Sequence, residues 1–222
     1  LLSKQMGRAV NVVELNGRTG HLASHILNQC DASQVSYCVA EQAKSVLDQA
    51  AFRLAGYGDH AFACALSDVE RHQADLVISN NALHRFNDVN EGINLMSSLI
   101  APSGHFVAIE TQALSPLALL TVTLMQPEAL MRSVDQSPYH DCRRGGASPL
   151  LDAQQWQTSL QTSSLSMNVL PAVNKANLLV MTGRQAETLA VSDTSQLADW
   201  LALQLPNYML PQHIVVCSTM PL

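Results

Sequence analysis

The stretch from Val10 to His21 constrains this sequence more than any other. An apolar run, Val10–Leu15, contains the acidic Glu14 and leads into a short turn with Gly17 and Gly20. Apolar residues then recur at helical spacing over positions 22–27. This order predicts a β-strand, a tight turn and an α-helix, which is the opening of an α/β nucleotide-binding unit. The glycines, however, do not occupy the positions that such a turn normally requires.

Strand and helix patterns alternate along the following ninety or so residues. The composition predicts strands at 35–41, 61–66, 75–80 and 105–110, and helices at 44–54 and 93–100. This alternation is typical of a doubly wound α/β sheet, whose ligands bind outside the carboxyl ends of the strands. Further on, residues 152–160 form a predicted helix capped by Asp152, and residues 165–173 and 177–182 alternate like an antiparallel strand pair. The irregular segment 111–146 is expected to cover the cleft.

Charge and cysteine content limit the possible partners. The 222 residues carry a formal net charge of -6, and Arg143-Arg144 is the only adjacent basic pair, so nucleic acid and anionic membrane are poor candidates. The five cysteines lack CxxC spacing, which favours reduced thiols in a cytoplasmic protein over a disulfide framework or a metal site. The apolar run Leu114–Met125 is shorter than the roughly 20 residues that a membrane span needs.

Several separated motifs occur along the chain, and the most specific of them is Asp75–His84, which reads DLVISNNALH. The others are Glu14–Gly20, Glu41, Asp68, Pro102-Ser103-Gly104, and Ser148–Leu151 with Trp156. Taken in their order along the chain, these motifs resemble a class I S-adenosylmethionine-dependent methyltransferase of the type built into nonribosomal peptide and polyketide synthases. The resemblance implies a Rossmann-like, mostly parallel sheet with an antiparallel C-terminal strand pair. It also implies that the cofactor site is formed by Glu14, Asn16, Gly17, Arg18, Gly20, Glu41 and Asp68.

The C-terminal segment carries a second resemblance. Residues 197–222, which include the sequence LPNYMLP, are similar to the end of a nonribosomal peptide synthetase adenylation domain. We therefore expect a methyltransferase-like domain at 1–190, inserted into an adenylation domain of which 191–222 is a fragment. Such insertions occur in assembly lines for thiazoline-containing siderophores.

The first motif departs from the family pattern E-x-G-x-G-x-G, because Asn16 and Arg18 occupy the first two glycine positions. Asn tolerates a left-handed conformation, whereas Arg18 brings a long cation to the place of the methionine part or the ribose. We interpret the cofactor residues as vestigial and S-adenosylmethionine binding as weakened or lost. Arg18 folded into the pocket would support this interpretation, and Arg18 turned out to solvent would favour a working methyltransferase.

The first functional hypothesis is an epimerase on a methyltransferase fold. It would remove and return the α-proton of a cysteinyl or thiazolinyl thioester, carried on the phosphopantetheine of a carrier-protein domain, without a further cofactor. Its partners would be that carrier domain, the host adenylation domain and neighbouring cyclisation or condensation domains. One alternative is an active C- or N-methyltransferase that uses S-adenosylmethionine, since methylation at carbon begins with the same proton removal. The other alternative is a catalytically dead structural insert.

Candidate residues lie at the ends of the fourth and fifth predicted strands and in the segment over the cleft. A near-neutral imidazole is a fitting base, although His84 could instead only fix a loop. Glu110 could orient that base or act as a second one, or be a solvated carboxylate. Tyr139, His140 and Asp141 could supply a donor or acid on the opposite face, or be solvated. Asn80 and Asn81 could position the thioester carbonyl.

Overall fold

The computed structural model describes residues 6–111, 137–144, 148–161, 163, 165–171 and 178–185, the stretch 166–171 by its backbone only. These residues belong to one compact unit, Leu1–Ala186. They form a seven-stranded sheet with four α-helices and several short 3-10 turns. The strands are β1 Val10–Leu15, β2 Val35–Glu41, β3 Ala61–Ala65, β4 Ala74–Asn80, β5 Ile100–Thr111, β6 Leu165–Pro171 and β7 Leu178–Gln185. The helices are α1 His21–Leu27, α2 Lys44–Leu54, α3 Val89–Leu99 and α4 Ala153–Gln161.

The strand order is β3-β2-β1-β4-β5-β7-β6. The first five strands are parallel, and α1, α2 and α3 form the crossovers from β1 to β2, from β2 to β3 and from β4 to β5. β7 pairs antiparallel with both β5 and β6. The predicted doubly wound sheet and its antiparallel C-terminal pair are therefore confirmed.

Both faces of the sheet are buried. One core contains α1 and α2 against β1–β3, and includes Tyr37, Val39 and Leu54. The other contains α3 and α4 against β1, β4, β5 and β7, and includes Phe106 and Trp156. Trp156 is fully buried and is the largest side chain of this core. Two covered faces explain why the strands are apolar throughout instead of alternating.

Element boundaries differ from the predictions mainly at the junction of α3 and β5. α3 begins at Val89, earlier than predicted, because the Asp88 side chain accepts a hydrogen bond from the Asn90 N–H and caps the helix. β5 already begins at Ile100, which pairs with Ala74 before the register shifts to Leu76 and His105. Pro102 and Gly104 therefore lie within an irregularity of β5 and not in a loop before it. The predicted cap of α4 is confirmed, since Asp152 Oδ1 accepts from the Gln155 N–H at 2.8 Å.

Some predictions fall outside the described residues. These are the adenylation-type tail at 191–222, most of the cleft-covering segment 111–146 and the turn between the last two strands. Within the part of the chain that is described, no helix is long and apolar enough to cross a bilayer.

Candidate active site

The candidate site lies at the carboxyl edge of the parallel strands, between β1 and β4. At this point the strand order changes side, because β2 and β3 lie on one side of β1 while β4 and β5 lie on the other. Such a switch point leaves a crevice above the sheet. Leu15 pairs with Ser79, and Asn80 pairs with Ile109, so the segments that follow β1, β4 and β5 are neighbours. The turn after β1 and Glu110 at the end of β5 are about two strand spacings, roughly 10 Å, apart. This edge therefore brings most of the predicted site residues together.

The turn after β1 keeps a glycine-type backbone without the usual glycines. Asn16, Arg18 and Gly20 have φ values of 49°, 54° and 73°, so all three glycine positions of the family pattern are left-handed. Only Gly takes that conformation without steric cost, and Asn does so more readily than other residues. The departures in sequence therefore leave the path of the turn intact, at the cost of local strain at Arg18.

Gly17 fills a different requirement in this turn. A Cβ at position 17 would lie 2.7 Å from Glu14 Cδ and 2.9 Å from Val39 Cγ1. Glu14 is only 2% exposed and accepts from the Tyr37 hydroxyl at 3.1 Å, so neither neighbour has free space. The close approach of the turn to β1 and β2 thus needs a residue without a side chain at position 17.

Gly17→Ala is expected to destabilise the fold by about 1–3 kcal/mol, the usual cost of overpacking a buried site. Urea unfolding followed by circular dichroism measures the change. Gly56→Ala is the matched control, because a Cβ at Gly56 meets nothing within 4 Å. Equal unfolding midpoints for the two variants would contradict the tight packing of the turn.

Arg18 is exposed, and its guanidinium makes no hydrogen bond to a described residue. Its backbone N–H donates to Glu41 Oε2 at 3.0 Å. Glu41 is itself buried, and its other oxygen accepts from the N–H groups of Gln42 at 2.9 Å and Ala43 at 3.4 Å. A carboxylate offers about four acceptor positions, so roughly one remains for a ligand. The solvent-facing Arg18 is the arrangement that favours a working cofactor site.

The remaining residues of the predicted cofactor site lie at different depths. Glu14 is covered by the turn and faces the start of α1, so it supports the turn from beneath. Burial raises the pKa of Glu14 to about 7, against the opposing hydrogen bonds from Tyr37 and the Ala23 N–H. Asp68 is exposed in the 3-10 turn after β3 and accepts from the Ser67 hydroxyl at 2.8 Å. Asp68 is therefore accessible at the outer end of the crevice.

His84 and Glu110 form a buried dyad. His84 lies in the 3-10 turn Leu83–Arg85 after β4, and its Nδ1 is 2.6 Å from Glu110 Oε2. The other oxygen of Glu110 accepts from the N–H groups of Ala82 at 3.1 Å and Leu83 at 2.8 Å. Glu110 is fully buried, whereas the His84 side chain is 10% exposed. The carboxylate is thus fixed by three donors, and the imidazole reaches the surface of the crevice.

Asn81 connects the ends of β4 and β5. Its Oδ1 accepts from both the backbone N–H and the hydroxyl of Thr111, at 2.9 Å and 2.7 Å. Its backbone N–H donates to the Ile109 carbonyl at 2.8 Å, so both neighbours of Glu110 in the sequence are held. Asn80 is exposed and accepts from Asn81 Nδ2 at 3.3 Å. Of the predicted substrate-binding pair, Asn80 is therefore the accessible one.

The predicted residues of the cleft-covering segment lie in different surroundings. His140 is exposed, with its N–H bonded to the Asn87 carbonyl at 2.9 Å. The Asp141 side chain is only 2% exposed and forms an ion pair with Arg143. Tyr139 packs on Arg143, whose Cζ lies 4.0 Å from the ring centroid. The structure thus places Asp141 and Tyr139 in contacts within the fold, and it adds Arg143, which sequence reasoning treated only as half of a basic pair.

The dyad has the geometry of an oriented general base. An ionised carboxylate only accepts hydrogen bonds, so Glu110 selects the His84 tautomer that carries its proton on Nδ1. Nε2 then holds a lone pair, and it makes no hydrogen bond to a described residue. An imidazole held in this way accepts a proton from a bound substrate and stabilises the resulting imidazolium through its carboxylate.

The strand order and the position of the site define the fold as that of a class I methyltransferase. Residues 13–106, fewer than half of the 222, match the family model of a methyltransferase domain. No curated protein matches the sequence at a significant level.

Three solved structures with this fold illustrate the similarity. The CurJ carbon methyltransferase aligns with a TM-score of 0.66 and 20% identity over 81% of this chain and 49% of its own. The CMeT domain of the citrinin polyketide synthase aligns at 0.63 and 16% over 82% and 47%. The trans-methyltransferase CalH, in complex with SAH, aligns at 0.64 and 20% over 83% and 55%. This chain therefore spans about half the length of these neighbours.

Proposed function

We propose that this domain is an S-adenosylmethionine-dependent methyltransferase that acts on carbon, and that His84 removes the substrate proton. The single observation that carries the proposal is the hydrogen bond between His84 Nδ1 and the buried Glu110. Methylation of a carbon α to a thioester requires a base that removes a proton from that carbon. A nitrogen or oxygen nucleophile already carries a lone pair and depends less on such a base. The similarity to two carbon methyltransferase domains supports the same choice.

The residues that would hold the cofactor are those of the turn after β1, together with Glu41 and Asp68. The left-handed backbone at positions 16, 18 and 20 and the close approach at Gly17 fit a ligand that packs against main chain. The exposed Arg18 leaves that turn uncovered by its own side chain. When bound, S-adenosylmethionine supplies an electrophilic methyl group on a sulfonium.

In the proposed reaction His84 Nε2 accepts the α-proton, and the electron pair of the C–H bond passes into the thioester as an enolate. The Glu110 carboxylate stabilises the imidazolium, because it accepts the Nδ1 hydrogen bond before and after the transfer. Asn80, exposed beside the dyad, is the amide best placed to donate to the enolate oxygen. The bound cofactor would supply the methyl group to this carbon, with cleavage of its methyl C–S bond and departure of the sulfur as a neutral thioether. The imidazolium later loses its proton to water.

A second candidate, epimerisation, is favoured by one specific observation. Three backbone N–H groups already occupy Glu41, which leaves little capacity for the ribose hydroxyls. The same base could return a proton to the opposite face of the enolate if no methyl donor is bound. The proposal in either form includes a thioester substrate carried on phosphopantetheine, with a carrier domain and neighbouring synthetase domains as partners.

Two measurements on one protein preparation decide between the candidates. Isothermal titration with S-adenosylmethionine is expected to show saturable binding, and the domain is expected to transfer one methyl group to an α-carbon of a carrier-bound thioester. Incubation of the same thioester in deuterium oxide without the cofactor measures exchange at that carbon. A flat titration together with deuterium incorporation would overturn the methyltransferase in favour of the epimerase. A flat titration without exchange would overturn both and leave a structural insert.

A further inference from the structure

The backbone that carries His84 is held by a single buried ion pair from a distant part of the chain. Arg143 Nη1 donates to the His84 carbonyl at 2.6 Å, and Nη2 donates to the Phe86 carbonyl at 2.6 Å. Asp141 Oδ2 accepts from the Val89 N–H at 2.8 Å. The pair therefore binds three backbone groups of the segment 84–89, between the imidazole and the start of α3.

The ion pair is internally compensated and shielded from water. The side chains of Arg143 and Asp141 are 1% and 2% exposed, and Arg143 Nε donates to Asp141 Oδ1 at 2.9 Å. Burial raises the pKa of Asp141, but hydrogen bonds from Arg143 and from Val89 outweigh it, so the pKa lies below its ordinary value. The Tyr139 ring covers one face of the guanidinium. A neutral pair adds no net charge beside the imidazole, so its effect on His84 is one of position.

We infer that Arg143 is a positioning residue for the base, and this inference rests on the proposed role of His84. The imidazole ring of His84 is fixed by Glu110, and the backbone carbonyl of the same residue is fixed by Arg143. Release of the carbonyl would let the turn 83–85 move while Glu110 stays fixed on β5. The Nδ1 hydrogen bond would then lengthen or lose its direction, and Nε2 would leave its place in the crevice.

The arrangement requires an arginine and not simply a cation. Arg143 bonds to the carbonyls of His84, Phe86 and Pro149 and to both oxygens of Asp141. The planar guanidinium has five N–H donors in a rigid fork, whereas a lysine has three donors on one nitrogen. Arg143→Lys therefore keeps the charge that Asp141 needs and loses the simultaneous hold on the two carbonyls of the turn.

The test compares Arg143→Lys with Arg144→Lys, an adjacent exposed arginine outside this contact network. The ¹⁵N chemical shifts of the His84 ring nitrogens report its tautomer without any need for activity. The second set of readouts is kcat, the KM for the thioester and the Kd for S-adenosylmethionine. If Arg143→Lys fails to fold, the same measurements are made on the double variant Asp141→Asn/Arg143→Gln, which removes both buried charges together.

For Arg143→Lys we expect loss of the single Nδ1-protonated His84 signal, a decrease in kcat of about 10²-fold and an unchanged Kd, because a small displacement of a catalytic group is costly while the cofactor turn is untouched. Arg144→Lys should match the wild type. A folded Arg143→Lys with wild-type His84 shifts and kcat would overturn the inference. If the wild type transfers no methyl group and exchanges no proton, yet Arg143→Lys still alters the His84 signals, the proposed function fails and the positioning role stands.

Discussion

Replacing Glu110 by Gln is expected to lower kcat for methyl transfer by about 10³-fold, although the two side chains have nearly the same shape. Gln Oε1 can still accept from the N–H groups of Ala82 and Leu83, as Glu110 does. Its amide nitrogen then faces His84 Nδ1 and donates, so Nδ1 must become the acceptor. The proton moves to Nε2, and the imidazole presents a donor to the substrate where a base is needed.

His84→Ala removes the base itself, and we expect a decrease in kcat of about 10²–10⁴-fold. Both changes leave the turn after β1 intact, so the Kd for S-adenosylmethionine should remain at the wild-type value. The kinetic assay follows methyl transfer to a carrier-bound thioester under single-turnover conditions, and circular dichroism confirms that each variant folds.

The matched controls are His105→Gln and Glu91→Gln, which change exposed residues of the same types on β5 and in the first turn of α3. His105 lies five residues before Glu110 on β5, and no described hydrogen bond joins the Glu91 side chain to His84 or Glu110. Near-wild-type kcat in Glu110→Gln would show that the tautomer of His84 does not matter. Near-wild-type kcat in His84→Ala would remove the dyad from the mechanism altogether.

The pairing of His84 with Glu110 could be predicted because it follows from the strand pattern. Two apolar runs that end in polar residues become neighbouring parallel strands, and their carboxyl ends lie at one edge of the sheet. The register of Asn80 with Ile109 then places Glu110 beside the turn that carries His84. A hypothesis of this kind needs only the period of the pattern and the order of the strands.

The role of Arg143 could not be predicted in the same way. Its hydrogen-bond partners, His84 and Phe86, are 59 and 57 residues away, and the sequence from 111 to Arg143 has no clear period. The left-handed backbone conformation of Arg18 could not be predicted either, because an arginine in the sequence does not indicate a positive φ. The sequence correctly indicated that the turn departs from the family pattern. An Arg18 side chain folded into the pocket would have supported the loss of S-adenosylmethionine binding, but the Arg18 side chain is exposed.

The two candidate reactions therefore differ at the turn after β1 and not at the base. Proton removal by His84 is common to both, and the presence of a methyl donor decides what the enolate receives. Because the turn keeps its left-handed path and its close approach at Gly17, while Glu41 is largely occupied, we expect S-adenosylmethionine to bind weakly but specifically. Glu14, which is buried beneath that turn, therefore affects both the stability of the fold and the shape of the turn.

Glu14→Gln is expected to stabilise the protein above pH 7 and to have little effect near pH 4.5. The pKa of Glu14 is raised from 4.5 to about 7 by burial, so the folded protein binds more protons than the unfolded chain between these two values. The stability that this group contributes is therefore fully present below pH 4.5 and is lost as the pH rises through 7. The loss amounts to about 3 kcal/mol, and a neutral Gln does not incur it.

Urea unfolding at pH 5, 6, 7 and 8 measures this effect as the difference in unfolding free energy between Glu14→Gln and the wild type. Other titrating groups, such as Asp75 and Asp141, are common to both proteins and cancel in the difference. We expect the difference to increase in favour of Glu14→Gln by about 2.5 kcal/mol between pH 5 and 8. Glu70→Gln, at an exposed carboxylate, is the control for the loss of one acidic side chain. Parallel curves for Glu14→Gln and wild type would mean that Glu14 is ionised throughout, and that water or a cation reaches the carboxylate beneath the turn.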